Sequence, residues 1–212
     1  MLKFAINPVT PFQQNCSLIW CDQTREAALI DPGGDLEQLL SLVKAKNLNL
    51  RKILVTHGHV DHVGGVAELS EKEDLPIEGP HTDDKFWIDA LPQISQQYGF
   101  PLAKSFEPNR WLNENDTVEV GNETLEVHHC PGHTPGHIIF FHPETKMAWV
   151  GDVLFKGSIG RTDFPRGDFD TLIRSIRSKL WSLGNDVQFV PGHGPMSTFG
   201  QERQTNPFVK DQ

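Results

Sequence analysis

The chain has 212 residues, 37% hydrophobic and 22% charged, a composition that fits a globular protein and excludes a disordered one. Its formal net charge of -9 excludes a nucleic-acid backbone or an anionic membrane as the default partner. Ten histidines are many for this length, while the three scattered cysteines (Cys16, Cys21 and Cys130) exclude a disulfide framework and suit the cytoplasm.

The opening stretch Met1 to Pro8 lacks the apolar core of a signal peptide, and no later segment approaches a membrane-spanning length. Leu2 to Val9 and Cys16 to Cys21 read as strands around a polar turn. Ala27 to Ile30 is a third, ending at Asp31-Pro32-Gly33-Gly34, where Asp31 is expected to close the turn, with bracing of the 56–62 loop from a neighbouring strand end as the alternative. Asp35 with Gln38 predicts a capping box, and Leu36, Leu39, Leu40 and Val43 give the helix behind it one apolar face.

Lys52 to Val55 reads as a buried strand, and Thr56-His57-Gly58-His59-Val60-Asp61-His62 follows it directly. Residues two apart on extended backbone point the same way, so His57 and His59 suit one metal ion. Asp61 and His62 lie beyond the bend and suit a second. Val66 to Lys72 predicts a helix and Pro76 to Gly79 a short strand. Between Pro80 and Arg110, Phe86, Trp87, Ile88 and Leu91 suggest a helical insertion. His81 is expected to be a surface histidine without a partner, and Phe86, Trp87 and Tyr98 to be core residues, with the floor of a substrate cleft as the alternative.

Thr117 to Val120 and Glu123 to His128 predict a hairpin around Gly121-Asn122; Ile138 to Phe141 and Met147 to Val150 predict another strand pair. Phe169, Leu172, Ile173, Ile176 and Leu180 mark an amphipathic helix started near Asp168, with Arg166 expected to pair with Asp168 or Asp170. Val187 to Val190 is the last predicted strand, followed by a polar tail. Strands in runs with helices between them indicate an α/β layer arrangement, taken as one domain over residues 1–212.

Three later sites repeat the placement of the first. His133 lies in Cys130-Pro131-Gly132-His133-Thr134-Pro135-Gly136-His137, Asp152 follows Gly151, and His193 lies in Pro191-Gly192-His193-Gly194, each after a predicted strand. The candidate ligands are therefore His57, His59, Asp61, His62, His133, Asp152 and His193. Nitrogen and carboxylate donors suit zinc, manganese or iron. Asp61 and Asp152 offset half the charge of two divalent ions, so the centre stays cationic and brings the pKa of its water to roughly 7. A carboxylate with two oxygens is the natural bridge between such ions, a role assigned to Asp152. His137 is expected to be structural or to support the ligands from behind, as by orienting the loop around His133, with His128 and His129 packed or solvated.

With these segments together, the chain resembles the metallo-β-lactamase superfamily, from the first strand to about Gly194. That resemblance implies an αββα four-layer sandwich, two mixed sheets with outer helices, and a two-metal site at one edge. It implies His57, His59 and His133 around the first ion, Asp61, His62 and His193 around the second, and Asp152 as bridge. An Asp bridge in place of cysteine, with H-T-P-G-H at 133–137 and G-D-V-L-F at 151–155, is similar to glyoxalase II, most of all its short bacterial type.

The expected activity is hydrolysis of the small-molecule thioester S-D-lactoylglutathione to D-lactate and glutathione, in methylglyoxal detoxification. It would use two divalent ions, zinc foremost, with Asp61 and Asp152 in catalytic roles and neither nucleic acid nor membrane as partner. The C-terminal helical domain of the longer enzymes is not expected. Arg161 and Asp163 stand where those enzymes carry the lysine and tyrosine of the glutathione site, and Arg161 is the candidate substrate contact. Lys156 and Ser158 are candidates for lining the pocket. The alternatives on the same scaffold are a mononuclear-iron persulfide dioxygenase, whose G-R-T-D-F run is matched at 160–164, and a lactonase.

Overall fold

Side-chain alternation along the strands decides the layering. In a computed structural model describing residues 1–211, β1 (Leu2–Val9), β2 (Gln14–Cys21), β3 (Glu26–Ile30), β4 (Asn49–Leu54) and β5 (Ile77–Glu78) form one sheet in that order. The second sheet contains β6 (Thr117–Val120), β7 (Glu123–His129), β8 (Ile138–His142), β9 (Met147–Gly151), β12 (Gln188–Pro191) and β13 (Ser197–Thr198), in the order β13-β12-β9-β8-β7-β6. Ile19, Ala28, Ile30 and Leu54 of the first sheet meet Leu125, Val127, Phe140 and Trp149 of the second in a core between the sheets. Their strand neighbours Leu18, Ala27, Leu29 and Ile53 point the other way, onto helices. Both faces of each central strand are buried, which is why β8 and β9 are apolar without interruption.

The outer layers are helical. On the first sheet lie α1 (Leu36–Ala45), α2 (Val60–Val63), α3 (Val66–Glu73), α4 (Lys85–Asp89) and α5 (Leu91–Tyr98), whose Leu36, Leu39, Val66, Leu69, Ile88 and Leu91 fill the first outer core. Against the second sheet pack α6 (Phe169–Ser175), α7 (Trp181–Leu183) and α8 (Phe199–Thr205), through Leu172, Trp181 and Phe199. A π-helical stretch, Ile176–Leu180, joins α6 to α7. The order helix, sheet, sheet, helix is the expected αββα sandwich. A two-stranded hairpin, β10 (Leu154–Phe155) and β11 (Ser158–Ile159), follows β9.

Strand direction gathers the loops at one edge. β3 and β4 run parallel; β9 and β12 run parallel, and β7 shares their direction because both β7 and β9 are antiparallel to β8. The carboxyl ends of β3, β4, β7, β9 and β12 carry Asp31, the 56–62 motif, His133, Asp152 and His193.

Several local expectations are corrected. Asp35 stands at the N-cap of α1 but in the left-handed region (φ 51), so its side chain does not cap the helix; the carboxylate accepts from Thr10 N at 2.7 Å instead. The guanidinium of Arg166 lies 4.2 Å from the ring centroid of Phe86 rather than on Asp168 or Asp170. Asp168 does cap α6, accepting from Thr171 N. The stretch after His193 is no polar tail: it adds β13 and α8, with Phe199 and Glu202 buried.

Candidate metal centre

The centre is built from donors whose ring orientation is fixed by hydrogen bonds on the far side. Thr56 Oγ1 donates to Asp31 Oδ2 at 2.6 Å, so towards His57 Nδ1, 3.0 Å away, it acts as acceptor. His62 Nδ1 donates to Asp31 Oδ2 at 2.9 Å, His133 Nδ1 to the carbonyl of Arg161 at 2.7 Å, and His193 Nδ1 to the carbonyl of Phe12 at 3.1 Å. With the proton held on Nδ1, each of these four rings offers the Nε2 lone pair.

Two groups of donors result. One atom each from His57, His59 and His133 lie within 4.8 Å of one another, as do one each from Asp61, His62 and His193. Asp152 stands between the groups: Oδ1 is 3.3 Å from His62 Nε2, and Oδ2 is 3.5 Å from His133 Nε2 and 3.8 Å from His193 Nε2. His59 Nδ1 faces His133 Nε2 at 3.0 Å. All seven sequence-predicted residues therefore meet at one place.

Divalent cations fit this constellation. The Nε2 atoms of His57 and His62 and Oδ1 of Asp152 are buried without a hydrogen-bond partner. Three buried polar atoms in one centre are costly unless something pairs with them. Burial, with other imidazoles nearby, pushes His57 well below the ordinary histidine range, and burial with His133 alongside pulls His59 down to about 3. Burial also lowers His133. That half of the centre presents neutral nitrogen donors.

The other half is charged. Burial works against charge on His62, yet the carboxylates of Asp152, Asp61 and Asp31 outweigh it and raise the ring well above its usual range. Burial opposes ionisation of Asp152 too, but the charges of His62, His133 and His193 hold that carboxyl well below the usual carboxylate range. A cation entering here displaces protons from histidine and meets carboxylates already ionised.

Supporting residues complete the picture. Asp31 does more than close a turn, since its oxygens accept from Thr56 N at 2.7 Å as well as from Thr56 Oγ1 and His62. His137 Nε2 accepts from Asp152 N at 3.0 Å, and the ring stacks on His57 at 4.5 Å. His137 thus holds Asp152 rather than the loop around His133. Gly151 precedes Asp152 at φ 48, and a Cβ there would sit 2.7 Å from both His137 Cε1 and Thr56 Oγ1, so only glycine fits the bend.

Asp84 carried no sequence signal. It is fully buried and accepts from Gly58 N, Thr134 Oγ1 and Gly136 N at 2.9, 2.7 and 2.6 Å, tying the insertion to both histidine loops. Burial pushes its carboxyl up to about 6 against those three hydrogen bonds. His81 has partners after all: it stacks on His129 at 4.3 Å and accepts from Asp83 N. Cys130 is buried outside the donor groups, with its thiol pushed up to about 12.

A cleft of about 260 Å³ opens over the centre. Trp87 and Tyr98 line it instead of serving only the core, together with Arg161, whereas Phe86, Lys156 and Ser158 do not. Arg161 makes paired bonds to Asp163 at 2.7 and 2.6 Å and lies 4.1 Å from the ring centroid of Phe164.

The fold and these donors define a metallohydrolase scaffold, and residues 9–193 match the family model of the metallo-β-lactamase superfamily. The chain belongs to that superfamily. It is 49% identical over 209 residues to hydroxyacylglutathione hydrolase GloC of Haemophilus influenzae, covering 98% of each chain. Among solved structures, BLEG-1 B3 metallo-β-lactamase superposes with a TM-score of 0.90 at 35% identity, over 99% of this chain and all of that one. TTHA1623, crystallised in a di-iron-bound form, gives 0.88 at 38% identity over 97% of this chain and all of that one.

Proposed function

We propose that this chain hydrolyses acylglutathione thioesters, S-D-lactoylglutathione among them, to the free acid and glutathione, with two divalent metal ions. The observation that carries this reading is the position of Asp152, whose carboxylate lies against both donor groups, Oδ1 beside His62 and Oδ2 beside His133 and His193. The 49% identity to a hydroxyacylglutathione hydrolase supports the substrate class.

His57, His59 and His133 would hold one ion, Asp61, His62 and His193 the other, and Asp152 would span them. When bound, the ions supply Lewis acidity toward the thioester carbonyl and toward water. The chain's own contribution is preorganisation. Asp31 and the carbonyls of Phe12 and Arg161 keep each Nδ1 protonated, so no ring must turn during the reaction. Asp61 and Asp152 remain ionised and balance charge. A thiolate leaves readily, so the absence of a dedicated general acid among the described cleft residues is no obstacle. Arg161, with its side chain 59% exposed, pairs with Asp163 through Nε and Nη2 and would offer Nη1 at the rim to a carboxylate of the glutathione moiety. Zinc is the first candidate metal and a reducing cytoplasm suits the three free cysteines.

Steady-state hydrolysis of S-D-lactoylglutathione by protein of assayed metal content tests the reading. Turnover that scales with two ions per chain and disappears in Asp152→Ala is expected. One iron per chain, oxygen uptake on glutathione persulfide and no thioester turnover would instead assign the persulfide dioxygenase reaction.

A further inference from the structure

The cleft over the centre is walled by Phe12, Trp87, Ile94, Tyr98, Phe100 and Phe164. They come from three separate loops or helices: the turn after β1, the α4–α5 insertion and the segment following Arg161. Trp87 stands edge-on to His59 at 4.5 Å and Phe164 at 5.1 Å, so the apolar wall begins at the donors themselves. Phe12 and Phe100 stack at 4.8 Å. Phe12 and Tyr98 are each 52% exposed, a large apolar surface to leave in water beside a polar centre.

Polar partners are scarce there. Outside the side chains of the centre, the lining offers the Trp87 indole N–H, the Tyr98 hydroxyl and Arg161, whose Nε and Nη2 are already paired with Asp163. A lactoyl hydroxyl placed against Phe12, Phe100 and Phe164 would lose water and gain no acceptor or donor from them, and the Trp87 indole N–H offers it a donor but no acceptor. The glutathione moiety carries carboxylates, amides and an ammonium, none of which this wall can satisfy. The group that gains from the cleft is one attached directly to the reacting carbonyl and made of carbon and hydrogen.

Building on the thioesterase reading above, we infer that the cleft receives the acyl group and selects apolar acyl chains, medium-length alkyl or aromatic, over the lactoyl group. The glutathione moiety then lies across the rim at Arg161. The enzyme is on this account a general acylglutathione thioesterase whose specificity is set by Phe12, Trp87, Tyr98 and Phe164, with lactoylglutathione a poorer substrate.

Non-hydrolysable thioethers separate recognition from chemistry. Calorimetric titration of the protein, carrying the metal it is isolated with, compares S-methylglutathione with S-hexylglutathione; kcat/KM is measured in parallel for lactoyl- and hexanoylglutathione. Burial of a methylene is worth about fourfold in affinity when complete, so a partly covered hexyl chain should bind at least about tenfold tighter than methyl. Hexanoylglutathione should exceed lactoylglutathione in kcat/KM by a similar factor.

Truncating Phe12→Ala and Tyr98→Ala together removes half-exposed rings, leaves the cores alone, and should cut the hexyl-to-methyl ratio to about threefold or less. Equal affinities for the two thioethers, or a ratio that survives the double variant with unchanged melting temperature, would overturn the inference. Lactoylglutathione turnover alongside a flat ratio defeats the acyl-cleft assignment alone. Failure to turn over either thioester by metal-replete protein defeats the thioesterase reading and this one with it.

Discussion

Asp31 shows how much one side chain outside the donor set can decide. Its two oxygens hold Thr56 by both its amide and its hydroxyl, and they hold His62 by Nδ1. Through Thr56 Oγ1 the same carboxylate also sets the tautomer of His57, so one residue orients a donor in each group. Removing such a partner typically weakens metal binding 10- to 100-fold, and Asp31→Ala should lower zinc affinity by about that factor in competition with a chelator. Asp84 acts on the loops instead. A carboxyl held near 6 in the fold and near its ordinary 3.8 in the unfolded chain contributes stability that is full below the lower value and lost as pH rises through the upper one. Asp84→Asn removes that titration at the cost of one mismatched donor, an offset that does not vary with pH. Denaturation curves should therefore show the wild type losing about 3 kcal/mol relative to the variant between about pH 3 and pH 7, about two-thirds of it between pH 4 and pH 6. A difference that stays flat across that window would mean Asp84 is ionised throughout.

At the level of elements, the centre depends on strand ends that bring backbone very close to side chains. A Cβ on Gly192, at the end of β12, would lie 2.1 Å from Asp152 Oδ1 and 2.6 Å from His62 Cε1. Gly192→Ala must therefore push Asp152 off its position between the donor groups, and a displacement of about 1 Å at a catalytic group costs on the order of a hundredfold in rate. We expect kcat to fall by about that factor while the circular dichroism spectrum is retained. The same strand ends explain why the sequence was so legible here. Each pairs a readable strand with a glycine-containing turn and a His or Asp, so His57, His133, Asp152 and His193 announce themselves locally. Asp31 and Asp84 do not, because their partners lie 25 to 52 residues away and leave no spacing to read. The insertion misled in another way. Trp87 and Tyr98 carry the composition of a core, and only the turn after β1, arriving with Phe12, makes their surface a cleft. The segment after His193 is polar because α8 buries little beyond Phe199 and Glu202, which hid its helix.

Across the whole molecule, the donors belong to both sheets. Asp31, His57, His59, Asp61 and His62 follow strands of the first, while His133, Asp152 and His193 follow strands of the second. Hydrogen bonds cross this edge as well: Ile138 N donates to Thr56 O at 2.9 Å, Asn15 N to Gly192 O at 2.7 Å, Asn15 Nδ2 to Pro191 O and Gly194 O, and Thr134 and Gly136 to Asp84. Bound metal should therefore act as a clamp between the halves of the sandwich, and stripping it should lower the melting temperature. Metal at a hundred times its Kd stabilises by about 2.7 kcal/mol per site, which in a chain of this length corresponds to roughly 5 to 10 °C. The core between the sheets holds them by a separate means. Leu125 is fully buried there and belongs to β7, away from the donors, so Leu125→Ala should cost about 2 to 5 kcal/mol through the cavity it leaves. If clamp and core act independently, the loss on adding chelator should be the same in wild type and Leu125→Ala to within about 0.5 kcal/mol. A chelator effect that vanishes in the variant would show that the metal stabilises only a fully packed core, and that the edge and the interior of the sandwich form one cooperative unit.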